Sequence, residues 1–549
     1  MRIMGISPVH DSSVAIINDG VLEIFLKEER LSGKKRDKLP FKSIFTALNH
    51  IAGPIDYVAI CSPDSTHQYN QFLEVLLGKL LGCEIIHYSH EHHFCHANLA
   101  FYNSGFSEAL TVVIDRNGSQ TNHLREAESV FVCKYPNTFE PIYKSFWLYN
   151  TGADADSATL KSIETIKKNL PKDCEVVADT TMSIVKVYES ATTLIGQDPL
   201  ENGKTMGLSA YGNIENSNSP LFFNGRPIDS LFCHDNFIFE DYTTTLMREH
   251  LGKIVNEVDK IDYKIYADHA LRVQLETQNT ALNLIKRMVE KTKIKNVCIT
   301  GGYGLNVVAN NFYTKQLPDV NFYFEPNADD TGNSIGAAMA VYREKSKDLE
   351  IKNIKHLFYH GVAHDLNSIE GEFATEKDIA NFLKDQKIVA VFNGLAEGGP
   401  RALGNRSILF DSRNVNGVDI INKIKKREWY RPFAGMVLKE DAAEYFDLGH
   451  LTESQYMTMC FSVTCPEKIP GVTHVDNTCR VQTVDNKIPH IYNVLTEFKN
   501  ITGCSVLLNT SFNLAGLPLV ETLRDAINTF NSTDIDVLWF PEIQKIIAK

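Results

Sequence analysis

The chain has 549 residues, a net charge of −13 at pH 7 and a pI near 5.8. That length exceeds a single hydrophobic core, so two or three domains are expected. The acidic balance excludes broad non-specific binding to nucleic acid, which needs a net positive footprint. The eleven cysteines include no CxxC pair, which argues against a zinc ribbon or a disulfide framework.

The first residues lack the charged-then-apolar layout of a signal peptide, and no apolar run approaches the length of a membrane span. The expectation is a reducing, cytoplasmic protein with no membrane partner.

Residues 2–7, 13–17 and 21–25 are apolar and β-branched, separated by the polar turn Pro8–Ser12 and by Asn18-Asp19-Gly20. This spacing predicts a strand series joined by tight turns. A polar turn between the first two strands suits phosphate, although any antiparallel meander has one. The charged run Glu28–Lys38 reads as a solvated loop from which a single lysine faces a ligand.

Residues 87–96 hold five of the eighteen histidines. His92 and His96 are four apart, so a helix puts both imidazoles on one face, within reach of one metal. Carboxylates at strand ends are the natural co-ligands, and two places supply them. Asp115 follows the apolar run Leu110–Ile114, and Asp329 and Asp330 follow Phe322–Phe324. Helix capping is the competing role for Asp330. Residues 296–300 then run as a strand into Gly301-Gly302, with Asn306 beyond. A strand, a double glycine and a helix set backbone N–H groups against phosphate or ribose, and a plain βα turn is the alternative.

Residues 351–375 lose periodicity and read as a linker between domains at 1–350 and 376–549. Residues 396–413 carry Arg401, Arg406 and Arg413 among Gly398, Gly399 and Gly404. Arginine forks and glycine backbone together suggest an anion cradle, against a tight turn and a basic surface strand. The basic run Lys423–Arg431, interleaved with Trp429 and Tyr430, suits a small phosphorylated substrate or single-stranded nucleic acid.

Taken together these motifs resemble the O-carbamoyltransferases of the NodU/CmcH family over almost the whole chain. The matching pieces are His10-Asp11-Ser12-Ser13, Glu28-Glu29-Arg30, His92 to Ala97, Lys204 to Leu208, Gly301-Gly302 with Leu305-Asn306, and Asp330-Thr331-Gly332. The second half adds Glu397 to Ser407, Arg431 to Ala434, His474 to Gln482 and Asn509 to Asn513. The resemblance implies an α/β protein with an N-terminal actin-like, duplicated domain (ASKHA/TsaD-type) and a C-terminal YrdC-like domain. It implies ATP-dependent formation of carbamoyl-adenylate from carbamoyl phosphate, then transfer of the carbamoyl group to an acceptor hydroxyl. By position it makes His92, His96, Asp115 and Asp330 metal ligands, with Fe(II) favoured over Zn or Mn. Gly301, Gly302 and Asn306 match a nucleotide loop. His10, Asp11, Lys35 and Arg401 fall at catalytic positions. Arg401, Arg406, Arg431, Arg480, Asn509, Ser511 and Asn513 match the carbamoyl phosphate and ATP side.

The chain departs from that pattern twice. Arg116 replaces a glycine after Asp115, and Leu517 replaces a glutamate after Gly516. The acceptor is expected to be a sugar, another natural product or a hydroxymethylated nucleobase, and the acidic balance favours a small molecule. A homodimer is the default assembly. Competing readings are a carbamoylating maturation or tRNA-modification factor and a non-catalytic nucleotide-binding protein.

Overall fold

The computed structural model describes residues 1–62, 68–121, 124–148, 155–179, 183–195, 197–216, 222–223, 226–227, 263–348, 350 and 359–549. It divides into two compact units. The first holds Met1–Glu23, Lys38–Pro40 and Ile51–Lys355, and the second Ile24–Asp37, Phe41–His50 and His356–Lys549. Part of the segment expected as a linker, residues 351–358, lies outside the described residues.

The architecture is α/β, as expected. In the first unit the expected strand series forms: Ser13–Asn18 runs antiparallel to Arg2–Ser7, and Val21–Lys27 follows. Tyr57–Ser62 and Glu84–Ser89 then add in parallel on the other side of Arg2–Ser7. In chain order this sheet reads third, second, first, fourth, fifth strand. A second sheet repeats it. Thr138–Leu148, Leu124–Lys134 and Glu108–Ile114 form an antiparallel meander, and Asn296–Thr300 and Asn321–Phe324 add in parallel to its first strand. Glu175–Asp179 extends the meander edge. The repeated order is consistent with a duplicated, actin-like unit.

Each fifth strand leads into a buried helix, His92–Ser104 in the first half and Asn333–Lys345 in the second. The two helices pack on each other. The first also packs on Glu108–Ile114 and Asn296–Thr300, and the second on the strands of the first sheet. Small residues make this possible: Gly-Ala-Ala-Met-Ala fills the centre of Asn333–Lys345, all of it buried. Apolar residues surround both helices, as expected for helices buried on every face.

The second unit is one ten-stranded mixed sheet. Its central strands are Arg406–Asp411, Val506–Ser511, Ala434–Leu438 and Thr478–Val484, with buried cores. Helices Glu376–Lys384 and Pro489–Thr502 pack on each other beside it. The run expected as a solvated loop is in part a helix, Glu28–Ser32, in which Glu28 and Arg30 are buried. Glu28 accepts from the N–H groups of Lys42 and Ser43, at 3.1 and 2.7 Å, and so fixes the start of helix Phe41–His50.

Candidate functional sites

The duplicated fold brings four turns of the first unit together. The turn after the first strand of each sheet carries His10-Asp11 and Asp115; the start of the helix after each fifth strand carries His92 and Asp330. His92, His96, Asp115 and Asp330 meet there, with one ligand atom from each lying within 4.8 Å of the others. His92 Nε2 is 3.5 Å from Asp115 Oδ2 and 3.3 Å from Asp330 Oδ1, and His96 Nε2 is 3.6 Å from Asp330 Oδ1. The capping role falls to Asp329, which accepts from Thr331 N, and Asp330 is left to face the histidines. Of the five histidines in the sequence cluster, His87 faces Glu74 at 3.7 Å and His90 bonds to Gln120 O. His93 is buried against Ser129 and Glu126, and burial pushes it down to about 4.

The charges here compensate one another. Burial works against a charged His92, yet Asp330 and Asp115 outweigh it and hold the ring well above its ordinary range. Burial likewise opposes charge on Asp115 and Asp330, and the histidines hold both carboxyls below the usual range. The residues fit a divalent ion on two counts. Two imidazoles and two carboxylates are a donor set for Fe(II), Zn(II) or Mn(II). Both ring nitrogens of His96 are buried without a hydrogen-bond partner, a cost that a ligated nitrogen does not carry.

His10 sits beside this group, its Nδ1 3.7 Å from both Asp11 Oδ2 and Asp330 Oδ2. Lys35, in contrast, is exposed in the second unit. Gly301 has φ 82°, and a Cβ there would lie 2.4 Å from Ile114 O, so only glycine lets this turn close on the Asp115 strand. The N–H of Gly302 donates to Asp115 Oδ1 at 2.9 Å, and Asn306 caps the helix Val307–Gln316 and pairs with Gln274. These atoms are therefore spent inside the fold, where the sequence suggested a nucleotide loop.

The second unit holds a site of opposite character. Register places Arg480, Ala434 and Asn509 in one row across three neighbouring strands. Arg480 is half-buried, with its Nε buried and unpartnered, and desolvation, with Arg431 adding to it, pushes it down to about 10. Lys425 is buried and donates to Ser511 O, to Ser511 Oγ at 3.2 Å, and to Asn513 O and Oδ1 at 3.1 and 3.0 Å. All four acceptors are uncharged oxygens. Burial, then Arg427 and Arg431, holds Lys425 well below the usual lysine range. Arg427 is held down in the same way while stacked 4.1 Å over Phe433. Among the described residues, the carboxylate that answers these four cations is Glu428, 3.4 Å from Arg431 Nη1.

The 396–405 loop is closed by its own chain. Glu397, fully buried, accepts from the N–H groups of Leu403, Asn405 and Arg406 at 2.7, 2.8 and 3.1 Å. Arg30 donates to Glu397 O and, at 2.7 Å, to Gly399 O. Gln482 and Asn509 hold the loop carbonyls of Leu403 and Ala402, each at 3.0 Å. The amides read from sequence as an open anion cradle thus already hold an anion. Arg406 is fully buried, stacked 3.8 Å over Phe392, with its terminal nitrogens on the carbonyls of Asn393, Gly394 and Asn405. It shapes the loop and does not face outward. Arg413 pairs with Asp411, and Arg401 is half-buried in the loop.

Sequence reading named Lys425 and Arg427 only within the basic run Lys423–Arg431, and Arg30 and Glu397 only as pieces of the family resemblance; it gave none of the four a role of its own. For Lys425 a signal existed: it falls in phase with Gly417, Ile421 and Ile424 on the buried side of helix Gly417–Lys425.

Residues 64–339 match the family model of the carbamoyltransferase N-terminus, and residues 380–546 that of the carbamoyltransferase C-terminus. The chain belongs to the carbamoyltransferase family. This carbamoyltransferase is 28% identical to nodulation protein NolNO of Sinorhizobium fredii over 96% of its own length and 78% of the relative's. It is 28% identical to an uncharacterized protein of Synechocystis over 98% and 95% of the two chains. Among solved structures it is similar to full-length HypF in the phosphate- and nucleotide-bound form, with 14% identity and a TM-score of 0.38. That match covers 63% of the carbamoyltransferase and about half, 47%, of the HypF chain. Among the described residues no helix is long and apolar enough to cross a membrane.

Proposed function

We propose that this carbamoyltransferase first forms carbamoyl-adenylate from carbamoyl phosphate and ATP, and then passes the carbamoyl group to a hydroxyl. The observation that carries the reading is the uncompensated cation cluster of Lys425, Arg427, Arg431 and Arg480. Four buried or half-buried cations facing one carboxylate call for anionic ligands, and both donors are polyanions. In the first step carbamoyl phosphate loses its phosphate to water, and a carbamate oxygen attacks the α-phosphorus of ATP. The bond between the α-phosphorus and the bridging oxygen breaks and pyrophosphate leaves. Lys425, Arg431 and Arg480 neutralise the charge that builds on the phosphoryl oxygens, with Ser511 and Asn513 holding the lysine in place.

In the second step the acceptor oxygen attacks the carbamoyl carbon and AMP leaves. His92, His96, Asp115 and Asp330 would hold a divalent ion, Fe(II), Zn(II) or Mn(II), which when bound supplies Lewis acidity towards the adenylate. His10 takes the hydroxyl proton, oriented by Asp11. The acceptor is a small hydroxyl compound, a sugar or another natural product, with a hydroxymethylated base as the alternative.

The protein incubated with carbamoyl phosphate and ATP should release pyrophosphate and yield carbamoyl-adenylate, read by mass spectrometry. Absence of both products, with the divalent ions supplied, would sink the proposal.

A further inference from the structure

Next to the histidine and aspartate group, one set of charges is not used by the chemistry above. Arg116 directly follows Asp115. Its Nε and Nη2 donate to the two oxygens of Glu189 at 2.8 and 2.6 Å. Glu189 comes from helix Ile184–Leu194, and so does Lys186, whose Nζ donates to the same carboxylate at 2.9 Å. Lys186 lies 5.2 Å over the Trp147 ring. Within this trio two cations share one anion, a surplus of one positive charge, with Asp115 and Asp330 also within electrostatic reach of Arg116.

The surplus has one way out. The side chains of Lys186 and Glu189 are 2% and 4% exposed, and that of Arg116 is 29% exposed. No ligand reaches the lysine. A guanidinium presents donors on two edges, and Glu189 occupies the edge of Nε and Nη2. The edge of Nη1 and Nη2 remains, and Nη1 has no partner among the described residues. Burial and the neighbouring Arg116 both push Lys186 down, to about 8, against the pull of Glu189. An added oxyanion relieves that strain. Lys186 thus acts through Glu189, neutralising the carboxylate so that Arg116 keeps its net charge for something else.

We propose that Arg116, held by Glu189 and backed by Lys186, binds an oxyanion beside the His92, His96, Asp115 and Asp330 group, taking one face of a phosphoryl group. That group is carried either by the acceptor alcohol or by the nucleotide. The assignment to a step of the reaction rests on the transfer reading given above; the binding itself does not.

Inorganic phosphate titrated into the full-length protein, followed by calorimetry, tests it. The Arg480→Gln background weakens phosphate binding at the cation cluster of the second unit, so that the phosphate bound at Arg116 is read apart from it. Adding Arg116→Gln should weaken that phosphate about tenfold or more, the usual worth of a charge-assisted contact. Arg116→Lys keeps the charge without the two-edged fork and should fall between; it decides the matter if the glutamine variant does not fold. Phosphate binding that is unchanged in a folded Arg116 variant overturns the proposal. Competition then separates the sources. If Arg116→Gln weakens glycerol 3-phosphate and not AMP, the group belongs to the acceptor; the reverse result places it on the nucleotide. These measurements need no carbamoyl transfer, so they stand or fall apart from the adenylate assay.

Discussion

The two sites handle buried charge in opposite ways. In the first unit, imidazoles and carboxylates answer each other, and the acids move down while His92 moves up. In the second unit, Lys425, Arg427 and Arg480 are all pushed down, first by burial and then by the cations beside them. A self-compensated group is stable without ligand and can keep a fixed geometry for a cation. A surplus of one sign is costly until a ligand of the other sign arrives. The first arrangement suits a resident ion, the second a substrate that comes and goes.

The contrast can be broken at several points. The largest effect is expected from His92→Ala, which should lower carbamoyl transfer about 1000-fold, the scale of losing a Lewis-acid site. Carbamoyl-adenylate should still form; if both steps fail together, the division of labour is wrong. Next is an acid–base difference within the first unit. Glu325 is buried, and burial raises it from 4.5 to about 7, against hydrogen bonds from Asn327, Asn103 and Tyr323. Between those pH values the folded state keeps a proton that the unfolded chain has released, so stability falls as pH rises, by about 3 kcal/mol in all. Urea unfolding across that range should show the slope, and Glu325→Gln should flatten it.

Lys425→Met should slow pyrophosphate release about 100-fold, as loss of one preorganised donor does. It should also leave urea stability unchanged or raised, because a buried surplus charge has gone. A large drop in stability would show that the lysine is structural. The smallest effect is expected at Glu397→Gln. The amide still accepts from the loop N–H groups but without charge, so adenylate formation should fall about tenfold through looser loop positioning. An unchanged rate would remove Glu397 from the account.

Much of the first unit was legible because its signals are local. The apolar, β-branched runs at residues 2–7 and 13–17, the i, i+4 spacing of His92 and His96, and Asp115 at a strand end each follow from a few neighbouring residues. Their meeting with Asp330 depends on the duplicated fold; the strand-end reading offered Asp329 and Asp330 alike, and the resemblance singled out Asp330. The second site was harder. Lys425 lies in a basic run that reads as a whole as suiting a phosphorylated substrate; only its helical phase separates it from the exposed Lys423 and Lys426. Glu397 reads as one more polar loop residue, and nothing local says that its carboxylate fills the loop it belongs to. Arg30 and the loop it holds are 367 residues apart in sequence. Contacts of that span leave no periodic trace.

That last contact bears on how the chain can be divided. The strand Val21–Lys27 starts with the first unit and ends with the second, and the segments Ile24–Asp37 and Phe41–His50 go with the second. A gene cut between residues 355 and 356 would therefore not yield two working modules. The downstream product would lack Arg30, and the carbonyls of Glu397 and Gly399 would lose their donor. A peptide spanning residues 24–50 would have to be supplied in trans. The second unit is thus assembled from distant stretches of the chain, and separating or swapping it means carrying residues 24–50 along.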